Sequence, residues 1–302
     1  LAVPSVGGTI SIFTKAAQKT KGGSLTQSFG NDGYAKTTAM YNSGKKDNGW
    51  ASSILLSKWG GDGYVYGTKG EGFNYFLSLG YSPDDSNHSI NFTFLGAGQW
   101  HHQRTSWVSI RDYQNFGKAG IDRRWSSDAG VRNGEEFNMR RNFYNKPLAT
   151  INWDWQIKEN LKLNTSVYGS AGRGGGTGPR GNYFRNSVTD YTPYRKDLTE
   201  HYSENGRGAR NENGFVDFDA IVANNQSTTS GYTGELSRFE GQKIGSNGFK
   251  DSNVNREVLV RRASMNSHDW VGAISNLEGQ FGKIKATIYG KQFRILKAQF
   301  HD

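Results

Sequence analysis

From Thr150 to Ile157 the chain alternates without a break: Ile151, Trp153, Trp155 and Ile157 are apolar, and Thr150, Asn152, Asp154 and Gln156 are polar. Successive side chains of an extended backbone point to opposite sides, so this pattern dictates a β-strand with one apolar and one polar face. It recurs along the sequence. Leu161, Leu163, Thr165 and Val167 alternate with Lys162, Asn164, Ser166 and Tyr168, and only Glu159 and Asn160 separate the two runs, which therefore read as a tight hairpin. Phe73, Tyr75, Leu77, Leu79 and Tyr81 oppose Asn74, Phe76, Ser78 and Gly80, and Ile90, Phe92 and Phe94 oppose Asn91 and Thr93. Val271, Ala273, Ser275 and Leu277 are followed by Ile284, Ala286 and Ile288, while Gly23–Gly30, Gly33–Ser43 and Trp50–Trp59 alternate less cleanly.

Taken in order, these runs predict nine antiparallel strands in one contiguous curved sheet. Their connections are unequal. Gly44–Asn48, Ser82–Asn87, Glu159–Asn160 and Glu278–Gly282 are short; about Gly60–Gly70, His101–Asn145 and Ala171–Asn266 are long. After the first hairpin, short and long strictly alternate. A soluble sandwich has no reason to sort its loops this way, whereas an outer-membrane barrel keeps short turns on the periplasmic side and long loops outside. The expected fold class is thus all-β, a transmembrane antiparallel β-barrel. Ile151, Trp153, Trp155, Phe92 and Leu79 are expected to face lipid, and Asn152, Asp154 and Asn91 the interior.

Composition agrees. Hydrophobic residues make up only 34% of 302, too few for an ordinary packed core, yet aromatics reach 13%, too many for a disordered chain. A barrel with a polar lumen and aromatic girdles reconciles the two. No apolar run approaches the roughly 18 residues of a membrane-spanning helix, but a barrel strand needs only about 9–11 alternating ones. With no cysteine, thiol catalysis and cysteine–zinc sites are excluded. The net charge of +10 is dispersed: His101–Tyr144 holds eight Lys/Arg against five Asp/Glu, and no recognition motif accompanies it, so nucleic acid is not an expected partner.

The opening Gly7-Gly8-Thr9-Ile10-Ser11-Ile12-Phe13-Thr14-Lys15 resembles the end of the plug domain of TonB-dependent outer-membrane receptors, where Gly7, Gly8, Ile10 and Thr14 match the plug-to-barrel motif. Gly30-Asn31-Asp32-Gly33-Tyr34 is similar to the turn of that family's first barrel hairpin. Gly61–Tyr64, Gly70–Gly72, Gly96–Arg104, Tyr168–Gly176, Gly214–Asp219 and Ser267–Trp270 resemble receptors of the Bacteroidetes type. The resemblance implies a 22-strand barrel filled by an N-terminal plug. Residues 1–18 would then be the last plug strand and linker, and 19–302 the N-terminal part of the barrel, with extracellular loops near 101–145 and 171–266. It further implies a location in the bacterial outer membrane, contact with outer-membrane lipid, and import of a large ligand (oligosaccharide, peptide or metal chelate). Coupling to TonB would run through a region outside this chain, a surface lipoprotein could lid the loops, and no cofactor or catalysis is implied. The alternative is a non-transporting barrel of the same kind that scaffolds an outer-membrane assembly.

Candidate ligand contacts are the aromatic and basic residues of the long connections, because Tyr, Trp and Arg dominate binding surfaces. They are Trp100, His101, Arg104, Trp107, Arg173, Tyr183, Arg185 and Tyr191. Loops packed on one another over a barrel mouth would use the same residue types, so both readings stand at this stage. His101 and His102 are adjacent and on a strand face opposite ways, so they do not share a metal. Gly172-Arg173-Gly174-Gly175-Gly176 lacks the Gly-Lys-Ser/Thr of a phosphate loop and reads as a flexible loop base. Asp217 and Asp219 lack the rest of a calcium loop and read as solvated. The apolar stretch Phe215–Val222 inside the last long connection is expected to pack as a small lid element.

Overall fold

The computed structural model describes residues 15–105, 110, 113–114, 122–181, 210–211, 213–227, 259–282 and 284–301. Its all-β antiparallel class is the one the alternation implies. Ten strands form one sheet: β1 Gly22–Phe29, β2 Ala35–Asn42, β3 Trp50–Gly61, β4 Gly70–Tyr81, β5 His88–His102, β8 Arg141–Asn145, β9 Leu148–Lys158, β10 Leu161–Gly181, β12 Leu259–Phe281 and β13 Ile284–His301. They occupy nine positions, because β8 and β9 both lie between β5 and β10. The register runs through unchanged, from Phe94↔Ala149 to Trp100↔Phe143. They are one strand interrupted at Lys146–Pro147, where proline has no amide hydrogen to donate to the ladder.

Every neighbour in this main sheet is antiparallel, and apart from the shared β8/β9 position the order follows the sequence. The turns at the lower end are short, and β12 runs on through Glu278 to Phe281, close to the start of β13 at Ile284, which shortens the expected connection. At the upper end β10 and β12 also run further than the alternation indicates. Ala171↔Asp269 through Gly181↔Leu259 are all paired, so 171–181 and 259–266 belong to the sheet and the connection between them is correspondingly shorter. Gly172–Gly176 is part of this ladder and not a loop base.

The two faces have the polarity of a soluble sheet turned inside out. Directly opposed residues share a face, and the row Ile54–Leu77–Phe94–Ala149 lies on the same side as Leu79–Phe92–Ile151–Val167. On that side Leu25 is 77% exposed, Ile151 49% and Ile288 70%. On the other side Ser57 is 3% exposed, Ser78 1% and Asn91 6%. A turn of 3-10 helix, Ala16–Gln18, covers part of that polar face. The amide of Ala16 donates to Asn91 Oδ1 (3.1 Å), which also accepts from Ser78 Oγ (3.1 Å), while Lys15 forms an ion pair with Asp154.

Aromatic rows border the apolar band. Below are Trp50 with Tyr81 (ring centroids 4.9 Å apart) and the stack of His88, Trp153 and Trp155. Above are Phe73, Tyr75, Trp100 and Phe143. At about 3.4 Å per residue and a tilt of about 45°, the residues from Phe143 to Trp155 rise roughly 29 Å, one hydrocarbon thickness.

Glycines on both faces of the sheet give room to rings. Trp59 faces Gly72, Tyr75 faces Gly96, and Tyr168 faces Gly272. In each pair a Cβ on the glycine would fall under 3.0 Å from the opposing ring.

The polarity makes a directional prediction. Ile151→Arg, at mid-band on the apolar face, is expected to cost about 2–4 kcal/mol of assembly free energy. Asn152→Arg, one residue along and facing the polar side, is expected to cost much less. Band-shift resistance of the folded full-length protein to unfolding in detergent measures both; equal effects would invalidate the assignment of faces.

Candidate functional site

The upper connections fold together into a cap, and this is where the large buried hydrophobic side chains of the described residues lie. Short strands β6 Gly130–Arg132 and β7 Glu135–Phe137 form a hairpin, and β11 Val216–Asp217 joins β6 in parallel. Helix α1, Phe218–Ser227, follows β11 directly. Asp217 Oδ1 accepts from the amide of Ala220 (2.9 Å), the usual role of aspartate at a helix start. Met139, Val216, Phe218 and Ile221 form the cap's core, with Phe137 against Phe218 edge-to-face at 4.8 Å. The apolar stretch 215–222 thus packs as a strand and helix against the preceding long connection.

Polar side chains tie the cap to the wall. Asn138 Nδ2 donates to the carbonyls of Gly67 (2.8 Å) and Gln103 (3.0 Å). Arg140 Nε donates to Asp128 (3.0 Å), whose other oxygen accepts from the amide of Thr105 (2.8 Å). Arg210 donates to the carbonyls of Ser127 and Gly214. Arg124 pairs with Asp32 in the β1–β2 turn and lies over the rings of Tyr64 and Tyr66. Asp32 and Gly33 of that turn adopt positive φ (58° and 69°), which the Asn-Asp-Gly sequence accommodates. A cleft of about 310 Å³ opens among these loops, lined by Tyr66, Asp122, Trp125, Glu136, Asn213 and Phe215 among others.

The sequence-predicted residues divide among three places. His101 lies on the polar face at the top of β5, and Arg104 donates to Tyr113 Oη (3.2 Å) at the base of the cap. Trp100 and Arg173 lie on the opposite, outward side: Trp100 is paired with Phe143, and Arg173 is bound to Asp269 (2.6 and 3.3 Å). Trp107, Tyr183, Arg185 and Tyr191, with Gly7, Gly8, Ile10 and Thr14, lie outside the described residues. The structure does not bring Trp100 and Arg173 to the cap cleft. Tyr66, Asp122 and Glu136, which do line it, and Asn138 and Asp128, which fasten the cap around it, left no mark in the alternation.

No group of three or more His, Asp or Glu side chains is arranged to hold a metal among the described residues. Asp219 accepts from the amide of Asn133 through both carboxylate oxygens (3.1 and 3.0 Å), so it is a structural acceptor rather than simply solvated. His102, beyond the upper aromatic row, is pushed down to about 4 by burial first, then by the positive charges of Arg261, Arg141, Lys69 and His101.

No family model and no curated protein sequence matches the chain. Among solved structures it resembles the siderophore receptor PiuA from Acinetobacter baumannii, with 9% identity and a TM-score of 0.49 over 91% of this chain and 30% of that one. It also resembles the ferric citrate transporter FecA in the unliganded form, with 12% identity and a TM-score of 0.45 over 90% of this chain and 29% of that one. The chain therefore spans less than a third of the length of either.

Two outcomes follow from this geometry. Phe218→Ala removes the largest side chain of the cap core and is expected to cost about 3–5 kcal/mol locally. Loop cleavage by external protease should rise while the wall keeps its detergent resistance. For His102 the folded-state pKa lies below the free value of 6.5. The unfolded chain then binds the extra proton between about pH 6.5 and pH 4, so stability falls as pH falls through that window. His102→Gln should flatten this part of the thermal stability profile of the detergent-solubilised full-length protein.

Proposed function

We propose that the chain is the N-terminal part of the wall of a TonB-dependent outer-membrane receptor that imports a ligand too large for a porin. The inverted polarity of the sheet carries this reading. A face with Leu25, Ile54, Phe73, Ile151 and Ile288 exposed, backed by a face where Ser57, Ser78 and Asn91 are buried, suits a hydrocarbon surround and a polar interior. β1 and β13 each have one strand partner among the described residues, and hydrocarbon tolerates no open edge, so the wall requires further strands to close.

The cap at the long-loop end is the ligand-facing region on this reading. Its cleft presents Tyr66, Phe215, Glu136 and Asp122, aromatic and acidic groups suited to an oligosaccharide, peptide or chelate. A surface lipoprotein of the Bacteroidetes kind would sit above the same loops. The 3-10 turn at Ala16–Gln18, fixed on the polar face by Lys15–Asp154 and Ala16–Asn91, fits a chain entering the wall from a plug inside it. Residues 1–18 would then be the plug's end, 19–302 the wall, and TonB the energy-coupling partner.

Ligand uptake by cells carrying the full-length gene, with and without TonB, tests the reading. Uptake lost with TonB is the expected result. A barrel that remains essential for an envelope complex when TonB is deleted, with no uptake to lose, would favour the scaffold instead.

A further inference from the structure

A cleft larger than that of the cap lies elsewhere. It lies on the outward face of the wall, above the apolar band, with a volume of about 740 Å³. The register explains its position. Lys58 opposes Phe73, which opposes Gly98; one row higher, Glu71 opposes Trp100, Trp100 opposes Phe143, and Gly175 opposes Met265. The glycines leave a hollow in an otherwise aromatic surface. Its rim is cationic: Lys58, Arg141, Arg261 and Arg173, the last already paired with Asp269, line it, against the single lining carboxylate of Glu71.

The carboxylate is already engaged, since Trp100 Nε1 donates to Glu71 Oε1 (2.7 Å). The Arg141 guanidinium lies 4.0 Å from the centre of the Trp100 ring, and its Nε is buried with no hydrogen-bond partner among the described residues. Stacking fixes the plane of the guanidinium, which favours forked hydrogen bonding to a phosphate. Phe73, Phe143 and Met265 form the lower wall and continue into the band of Phe94, Leu77 and Ile151.

We propose that this cleft holds the phosphate-bearing headgroup of an acyl lipid of the outer leaflet, its chains lying on the apolar band below. The proposal rests on the wall being a lipid-facing barrel. Charge complementarity selects an anionic headgroup, and continuity with the band selects a lipid over a soluble phosphate. His102 at the same rim is held neutral by burial first and then by the positive charges of Arg261, Arg141 and Lys69, so an anion there meets cations that already repel one another. Trp100 and Arg173 thereby contact lipid from the outside rather than cargo from within.

The test uses the full-length protein extracted from outer membranes in mild detergent, with co-purified lipopolysaccharide quantified by mass spectrometry of its acyl chains. Lys58→Gln with Arg141→Gln should reduce retained lipid by at least about tenfold, as removal of two cations near an anionic headgroup requires. Resistance to unfolding in detergent reports folding separately. Glu71→Gln, which removes the only carboxylate of the lining, should raise retention. Unchanged retention in the folded double variant, or lower retention in Glu71→Gln, would overturn the proposal. Millimolar inorganic pyrophosphate should not displace the lipid; displacement would show a soluble-anion site instead. If the protein left cells without detergent, the barrel reading itself would fail, a result distinct from loss of the headgroup site in a protein that still requires detergent.

Discussion

The structure depends on its lateral hydrogen-bond ladder. Each interior strand of the main sheet satisfies its backbone through both neighbours, from Gly22↔Asn42 on β1–β2 to Phe281↔Ile284 on β12–β13. With the backbone satisfied sideways, the faces are free to take whichever solvent the side chains prefer. In water, each of the large apolar residues on the outward side would forgo about 1.5–3 kcal/mol of available burial. Such a surface is stable only where its solvent is itself apolar. The interior need not be hydrophobic at all, and here Asn91, Ser78 and Thr93 bond to one another in place of packing as a core.

Legibility from sequence follows the same division. The wall was readable where side chains alternate strictly, as in Thr150–Ile157, because period two is a local property. It was less readable in β10 beyond Ser170, where seven of the next eleven residues being small or glycine hides the alternation. The ladder there is held by pairing with β12, whose partners lie up to about a hundred residues away in the chain, as in Ala171↔Asp269. The proline break between β8 and β9 is a related case. It divides one strand position in two without changing register, so nine positions hold ten strands.

The cap shows the opposite behaviour. Its composition identified Phe215–Val222 as apolar, but nothing local indicates that Val216 pairs in parallel with Gly130 or that Phe218 packs over that glycine. Its polar fastenings are equally nonlocal: Asn138 reaches Gly67, and Arg124 reaches Asp32. Candidate contacts chosen by residue type alone therefore mixed groups from both sides of the wall. Parity, once the register is known, separates them.

His101 and His102 show how far that separation goes. They are neighbours in the chain, yet His101 opposes Gly70 on the polar side and His102 opposes Arg141 on the outward side. His102 contacts the Trp100 ring at 5.2 Å and is desolvated among cations, while His101 stands on the face that continues down to Asn91 and Ala16. One strand thus carries two independent surfaces in alternate residues. A substitution at an even-numbered position of upper β5 alters what the wall meets outside, and one at an odd-numbered position alters what it encloses. Contacts on the apolar face and contacts on the polar face can be tuned separately because the pleat places them back to back, with the hydrogen-bonded backbone between them.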